Sequence, residues 1–494
     1  MKRLFAALLC AAALAGCATL VGPPLPAAAG AEVAACARWF EQLDAAIDLA
    51  GVRDAEADRI AGFAGLRVDR FGAALREQAQ SGAAAFDTWL ARLQRLEAEG
   101  RAVEVANLPR SAFPIDGAAN APAARARSLA CSHAWRSPLQ ADAALRASLQ
   151  ARAEVPDRYA TWQRAVGLYA VVRWPFHARV QTWERGHMAQ VAQWLAAPPP
   201  TQRYVPAQAA PPAGTVAGLW HKRPRDALGL AQFTADEAAL LLAAHAPALE
   251  IETRGAYDRF GALAWRDAAT PQVDVAAPLL YQRVSSTRYR GQTLLQLVYS
   301  LWFPERPADP ARGRFDLLAG ALDAVVLRIT LAPDDGRPLL VDTIHGCGCY
   351  HHFMPTAEVR LRGDAPAGVE WAYAPITLPP LAAGERIVVR LSSASHDVVD
   401  SAPDSGAPGT PYGLRDEHLL RTVATPQGGT RSVYGPDGLV AGSERAERWL
   451  FWPMGIASAG AMRQWGHHAT AFVGRRHFDD ADLIERRFVI PALE

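Results

Sequence analysis

From residue 31 the apolar positions of the chain fall at helical spacing. In EVAACARWFEQLDAAIDLAGV, Val33, Cys36, Phe40, Leu43 and Ile47 recur every three or four residues, which places them on one face. The glycine and aspartate that follow close the segment. AAAFDTWLARLQRLEAEGRAVEVANL predicts a second helix, ending near Pro109. Weaker helical patterns cover 141–154, 159–170 and 180–196. Residues 31–196 therefore read as an all-helical domain.

The next stretch, 197–215 (APPPTQRYVPAQAAPPAGT), is rich in Pro and Ala. Proline removes backbone donors and stiffens the chain, so this segment is expected to be a linker, or an extended strap along the surface. Beyond it the period changes. Thr234-Ala235-Asp236-Glu237 forms a capping box ahead of AALLLAAHA. Short β-rich runs follow: ALEIETR, APLLYQRVS, TLLQLVYSLWF, AVVLRITL, PLLVDTI, AEVRLR, RIVVRLSS and ATAFVG. Pro333-Asp334-Asp335-Gly336 between two of them predicts a hairpin. The expected fold class is α+β multidomain, with the helical domain followed by an antiparallel β-rich domain over 216–494.

The N-terminus changes where this body is expected to reside. Lys2 and Arg3 precede an unbroken apolar run, 4–13, too short to span a bilayer, which takes about 20 apolar residues. It fits the h-region of a signal peptide. Leu14-Ala15-Gly16-Cys17 follows, and resembles the lipobox of bacterial lipoproteins. That resemblance covers the first 17 residues. It implies loss of 1–16, a diacylglyceryl group on Cys17, and a tether over 17–30. Several acyl chains give stable anchoring where one would be marginal. Ala18, rather than Asp, implies an outer-membrane destination facing the periplasm in a Gram-negative cell. The partner so implied is the lipid bilayer.

Hydrophobic residues make up 50% and charged residues 20% of the chain, the balance of a folded globular body. The formal net charge of +1 gives no electrostatic case for nucleic acid. All but Lys2 and Lys222 of the 51 basic residues are arginine, which suggests a GC-rich genome and no particular function.

Six cysteines are present. Cys10 would leave with the signal peptide and Cys17 would carry lipid. The rest would meet an oxidising compartment, where disulfides persist. Cys36 and Cys131 share the helical region and are expected to pair, two buried thiols being the alternative.

One segment concentrates chemistry. His345-Gly346-Cys347-Gly348-Cys349-Tyr350-His351-His352 offers three imidazoles and two thiols, donors for zinc or copper. Its spacing departs from the C-x(2–4)-C of structural zinc sites. In an extended strand His345, Cys347, Cys349 and His351 would point one way, a stripe that closes on a metal only by bending at the glycines. A C-x-C disulfide and inert packing remain open beside the metal site. His467, His468 and His477 near the C-terminus could complete the metal set if the β-rich domain folds them together. Asp479 or Asp480 would orient an imidazole, or pair with Arg475 and Arg476. His396-Asp397 is a further acid/base candidate. Asp342 and Glu305 are candidate carboxylates for metal-assisted hydrolysis. His177, His187, His221, His245 and His418 receive no role.

No G-x-S-x-G, H-E-x-x-H, P-loop or Rossmann glycine motif is visible, and no enzyme family is recognised. The sequence thus predicts an envelope lipoprotein with a His/Cys metal site for zinc or copper. The alternative is a non-enzymatic module with a Cys347–Cys349 disulfide, working through protein or envelope-polymer binding.

Overall fold

The structure, a computed structural model, describes residues 30–493 apart from 213, 222, 311–312 and 314–315. Cys10, the lipobox and Cys17 lie outside the described residues.

The N-terminal part is mainly helical. Helices α1 (Gly30–Ala50), α2 (Ala83–Asn107), α3 (Ala121–His133) and α4 (Ala143–Arg152) pack around Trp39, Trp89 and Trp135, which are fully buried. A disulfide joins Cys36 of α1 to Cys131 of α3. A short two-stranded hairpin, Asp58–Arg59 with Arg67–Val68, interrupts the helices. Arg67 is buried between Glu97 and Glu104, at 2.8 and 2.7 Å.

Two helices then lead toward the sheet. α5 (Thr161–Val166) ends at Gly167, and Leu168 adopts φ +53° before α6 (Tyr169–Ala196) begins. The patterns at 159–170 and 180–196 thus belong to a short helix and one of 28 residues that carries Pro175 inside it.

The C-terminal part contains a ten-stranded sheet. Its strands are β1 (Thr201–Pro206), β2 (Ala248–Glu252), β3 (Leu279–Tyr289), β4 (Gln292–Arg306), β5 (Gly320–Leu331), β6 (Pro338–His345), β7 (His352–Pro355), β8 (Ile387–Leu391), β9 (Val398–Pro403) and β10 (Thr410–Asp416). Their spatial order is β7-β6-β5-β4-β3-β10-β1-β2-β8-β9. Antiparallel pairing dominates, but β10 runs parallel to both β3 and β1, and β8 runs parallel to β2.

Two expectations about this region change. The Pro/Ala-rich stretch 197–215, expected as a linker or strap, contributes β1, an interior strand paired with β2 and β10. Its Tyr204 and Val205 supply the apolar side chains, and its prolines lie ahead of the strand, at its last residue and beyond. ATAFVG, expected as a strand, is irregular. Its backbone N–H groups at Phe472 and Val473 donate instead to Glu370 Oε1, both at 2.8 Å.

Strands β4, β5 and β6 are buried almost throughout, because the sheet is covered on both faces. One face packs under α7 (Ala235–His245), whose Leu241 and Leu242 meet Tyr299, Leu301 and Ile329. α7 carries the expected capping box between Thr234 and Glu237. Irregular C-terminal chain covers the other face, with Phe478 on Val298, Val326 and Ile344 and Met462 near Trp302 and Ala324. The predicted hairpin turn joins β5 to β6, with Gly336 at φ +76°.

Candidate functional site

Strand β6 ends at His345 and β7 begins at His352, so the His/Cys segment is the loop between two paired strands. Gly348 N–H donates to the His345 carbonyl at 2.7 Å, and His345 N–H to the Cys349 carbonyl at 3.0 Å. Gly348 sits at φ +89° and Tyr350 at φ +57°. A Cβ on Gly348 would lie 2.7 Å from the Ala469 carbonyl oxygen, so glycine is required by both space and conformation. Two left-handed residues, one on each side of Cys349, destroy the alternation of an extended strand, and the side chains leave the loop in different directions.

Each imidazole finds its own surroundings. His345 lies between two buried carboxylates, Asp323 at 3.8 Å and Asp397 at 3.4 Å, as charge contacts longer than hydrogen bonds. Burial opposes its charge, but the two carboxylates outweigh burial and push it up to about 9. His351 Nε2 lies 2.7 Å from Asp342 Oδ2, while Arg328 clamps both oxygens of the same carboxylate. Burial holds His351 down at about 3. His352 stacks on Trp183 with ring centres 5.5 Å apart and lies 4.6 Å from the His187 ring. His467 Nε2 meets the Ala55 carbonyl at 2.7 Å. His468 is buried beside Phe478 and held neutral by burial at about 3.

Of the expected metal set, His345, His351, His352, His467 and His468 thus face different partners, while Cys347 and Cys349 stay together. Among the described residues no group of three or more His, Cys, Asp or Glu side chains is arranged to hold a metal ion. His345 faces Asp323 and Asp397, and Asp342 is taken up by Arg328 and His351. Glu305 is exposed, whereas its neighbour Arg306 turns inward. Asp479 and Asp480 hold Arg70 and His477 respectively, and Arg475 pairs with Asp157 instead.

The His396-Asp397 pair also separates. His396 Nδ1 lies 2.8 Å from Asp323 Oδ2 and Nε2 lies 3.5 Å from Asp258, while Asp397 faces His345. The result is a buried alternation, Asp397–His345–Asp323–His396–Asp258, with Arg445 on Asp323 at 2.9 Å. Opposite charges in sequence neutralise one another away from water.

The two thiols stay together. Cys347 and Cys349 carry no disulfide; Cys347 is buried and Cys349 half-buried. A hydrogen bond from the Cys349 thiol, helped by the charges of Arg445 and His345, pulls Cys347 down to about 6. The same hydrogen bond, with burial, drives Cys349 well above its ordinary value. Arg463 fixes the loop by donating Nε–H to the Cys347 carbonyl at 2.9 Å.

Cys349 opens onto a cavity of about 540 Å³ between α6, this loop and the irregular C-terminal chain. Phe176 and Trp183 of α6, Tyr350, Tyr373, Phe451 and Phe472 supply aromatic wall. Three carboxyl groups line it, Glu184, Glu370 and Glu447. Burial raises all three, Glu370 and Glu447 to about 7, the nearby Cys347 adding to the effect at Glu447. Near neutral pH the walls thus hold acids that exchange protons readily, beside a thiol pair.

Sequence reasoning missed Glu370, Glu447, Trp183, Tyr373 and His187. His187 joins the wall by bonding Nδ1 to Tyr373 Oη at 2.8 Å and Nε2 to the Val398 carbonyl at 3.0 Å. No local signal marks these residues, since each reaches the loop through tertiary packing. Comparison of the chain with family models, curated proteins and solved structures gives no match.

Proposed function

We propose that the protein is a lipid-anchored envelope protein whose working site is the Cys347–Cys349 dithiol at the wall of an aromatic cleft, acting as a dithiol–disulfide couple. The observation that carries this reading is the asymmetry of the pair. One thiol lines the cleft, and the other is buried and pulled toward its thiolate form by the shared hydrogen bond and the charges of Arg445 and His345.

That asymmetry suits two-step exchange with a small disulfide admitted to the cleft. Cys349 Sγ passes its proton across the shared hydrogen bond to the Cys347 thiolate and, now itself a thiolate, attacks one sulfur of the incoming disulfide. An S–S bond forms to Cys349, and the other half leaves as a thiolate that takes the proton. Cys347 thiolate then attacks Cys349 Sγ, closing the C-x-C disulfide and expelling the second half as a thiol after protonation. The protein loses two electrons and the incoming disulfide gains them. In an oxidising envelope the resting form is closed, and a dithiol reductant would reopen it.

The test uses the full chain purified from the envelope without a metal-affinity tag. The protein is equilibrated across glutathione buffers from reduced to oxidised. Mass spectrometry should show the peptide containing Cys347 and Cys349 losing two hydrogens over one transition, while Cys36–Cys131 stays closed. Thiols that persist in fully oxidised buffer overturn the reading. So does near-stoichiometric zinc or copper that disappears in Cys347→Ser/Cys349→Ser, an outcome that would restore the metal site.

A further inference from the structure

Folding removes most large apolar side chains from water, so a cluster of them left outside marks a surface that meets something apolar. Such a cluster lies around the junction of α5 and α6. Trp162, Val166, Leu168, Val171 and Trp174 are each between 51% and 68% exposed. Trp449 and Leu450, in the short helix Glu447–Leu450, are 70% and 53% exposed.

These segments are one surface. Trp162 meets Trp452 edge-on with ring centres 5.7 Å apart, and Phe176 meets Phe451 at 5.7 Å. Leu168 stands out further. It is a leucine held at φ +53°, a conformation that L side chains resist, at a corner where its side chain packs against no core.

The polar residues on this face are equally one-sided. Arg173 and Arg448 lie beside the exposed tryptophans, and Arg179 and Arg185 follow along α6, whose acid is Glu184. None of the four arginines forms a salt bridge among the described residues. Arg173 instead lies over the Trp174 ring at 4.7 Å and Arg448 over the Trp449 ring at 5.0 Å. Tryptophan and leucine beside unpaired arginine is the composition of a surface that rests in the headgroup layer of an anionic membrane. The rings enter the acyl boundary and the guanidinium groups meet phosphates.

We propose that the α5–α6 corner, together with Trp449 and Leu450, seats on the surface of an anionic bilayer. No helix among the described residues is long and apolar enough to cross a membrane, so this contact lies in the interface plane. It rests on the envelope-lipoprotein reading, because the tether would hold the face near lipid. Phe176 and Phe451 belong both to the edge of this face and to the cleft wall. Seated this way, the cleft opens beside the headgroups.

The test reconstitutes the full chain in vesicles of phosphatidylethanolamine and phosphatidylglycerol with brominated acyl chains, which quench buried indoles. Quenching of the intrinsic tryptophan emission is expected, and should be roughly halved in Trp162→Phe/Trp449→Phe. Both positions are exposed, so this variant keeps the fold, and circular dichroism checks it. Equal quenching in the variant and the parent overturns the proposal, as does absence of quenching. A dimer that forms without lipid and dissociates in Trp162→Glu/Trp449→Glu also overturns it, in favour of a second copy on this face. The mass of the N-terminal peptide reports acylation at Cys17 separately, so failure of the anchor and failure of the face are distinguished.

Discussion

His351 Nε2 lies 2.7 Å from Asp342 Oδ2, joining a loop imidazole to a strand carboxylate nine residues earlier. Both groups are fully buried, and Arg328 occupies the rest of the carboxylate at 3.0 and 2.6 Å. A histidine in the densest His/Cys stretch of the chain therefore serves to tie the loop to the sheet.

Removing the shared charge should be costly. Asp342→Asn leaves Arg328 buried without a counter-ion, and breaking a buried pair from one side costs about 3–5 kcal/mol. His351→Asn should cost less, because the imidazole is neutral near pH 7. Urea denaturation of the two variants measures the difference. An Asp342→Asn protein as stable as the parent would remove the structural role assigned to this cluster.

His345 gives a pH signature of opposite sign to acid denaturation. Its folded value of about 9 exceeds the ordinary 6.5, so the folded state holds a proton that the unfolded chain releases. The stabilisation is fully present below pH 6.5 and is lost as pH rises through 9, for a total of about 3 kcal/mol. Unfolding free energy should fall across that window, and the fall should vanish in His345→Gln. The imidazole resonance, followed by NMR, should titrate near 9.

The thiol pair should titrate asymmetrically in the reduced protein. One thiolate should appear with a midpoint near 6, by ultraviolet absorbance, and it belongs to Cys347. Cys349→Ala removes the hydrogen bond that stabilises that thiolate, so the remaining midpoint should move up. Cys347→Ala should let Cys349 titrate closer to its ordinary value, since the shared hydrogen bond and the neighbouring negative charge both disappear. An unchanged midpoint in Cys349→Ala would show that Arg445 and His345 alone set the thiolate.

Local signals in the sequence carried the elements and failed at the site, for a physical reason. Helical spacing at Val33, Phe40 and Leu43, the Thr234 cap and the turn at 333–336 act within a few residues, so they can be read from a short window. The direction of His345, Cys347 and His351 depends on Gly348 and Tyr350 entering the left-handed region, which the alternation argument does not anticipate. Arg328, Glu370, Glu447 and Trp183 meet the loop only because β5, α6 and the C-terminal chain pack there. The segment 201–206 misled in a similar way. Its prolines suggest a linker, yet an interior strand tolerates them at its end, where β10 accepts the backbone of Ala207.

The helical part should fail first in acid. Glu104 is buried against Arg67 at 2.7 Å and Arg101 at 3.1 Å. Burial alone would raise its carboxyl, but the two guanidinium groups outweigh burial and lower it to about 2. Glu97, between the same two arginines, is also lowered. A depressed carboxyl stabilises the fold above its unfolded value of 4.5 and loses that contribution as pH falls through 2. For Glu104 the swing is about 3 kcal/mol. Below it Arg67 and Arg101 remain buried and charged with one carboxylate fewer to balance them. Glu104→Gln should therefore flatten the acid limb of the stability curve while lowering stability at pH 7. Hydrogen exchange at decreasing pH should expose 83–107 before β4 and β5. Simultaneous loss of protection in both regions would show that the helices and the sheet unfold as one unit.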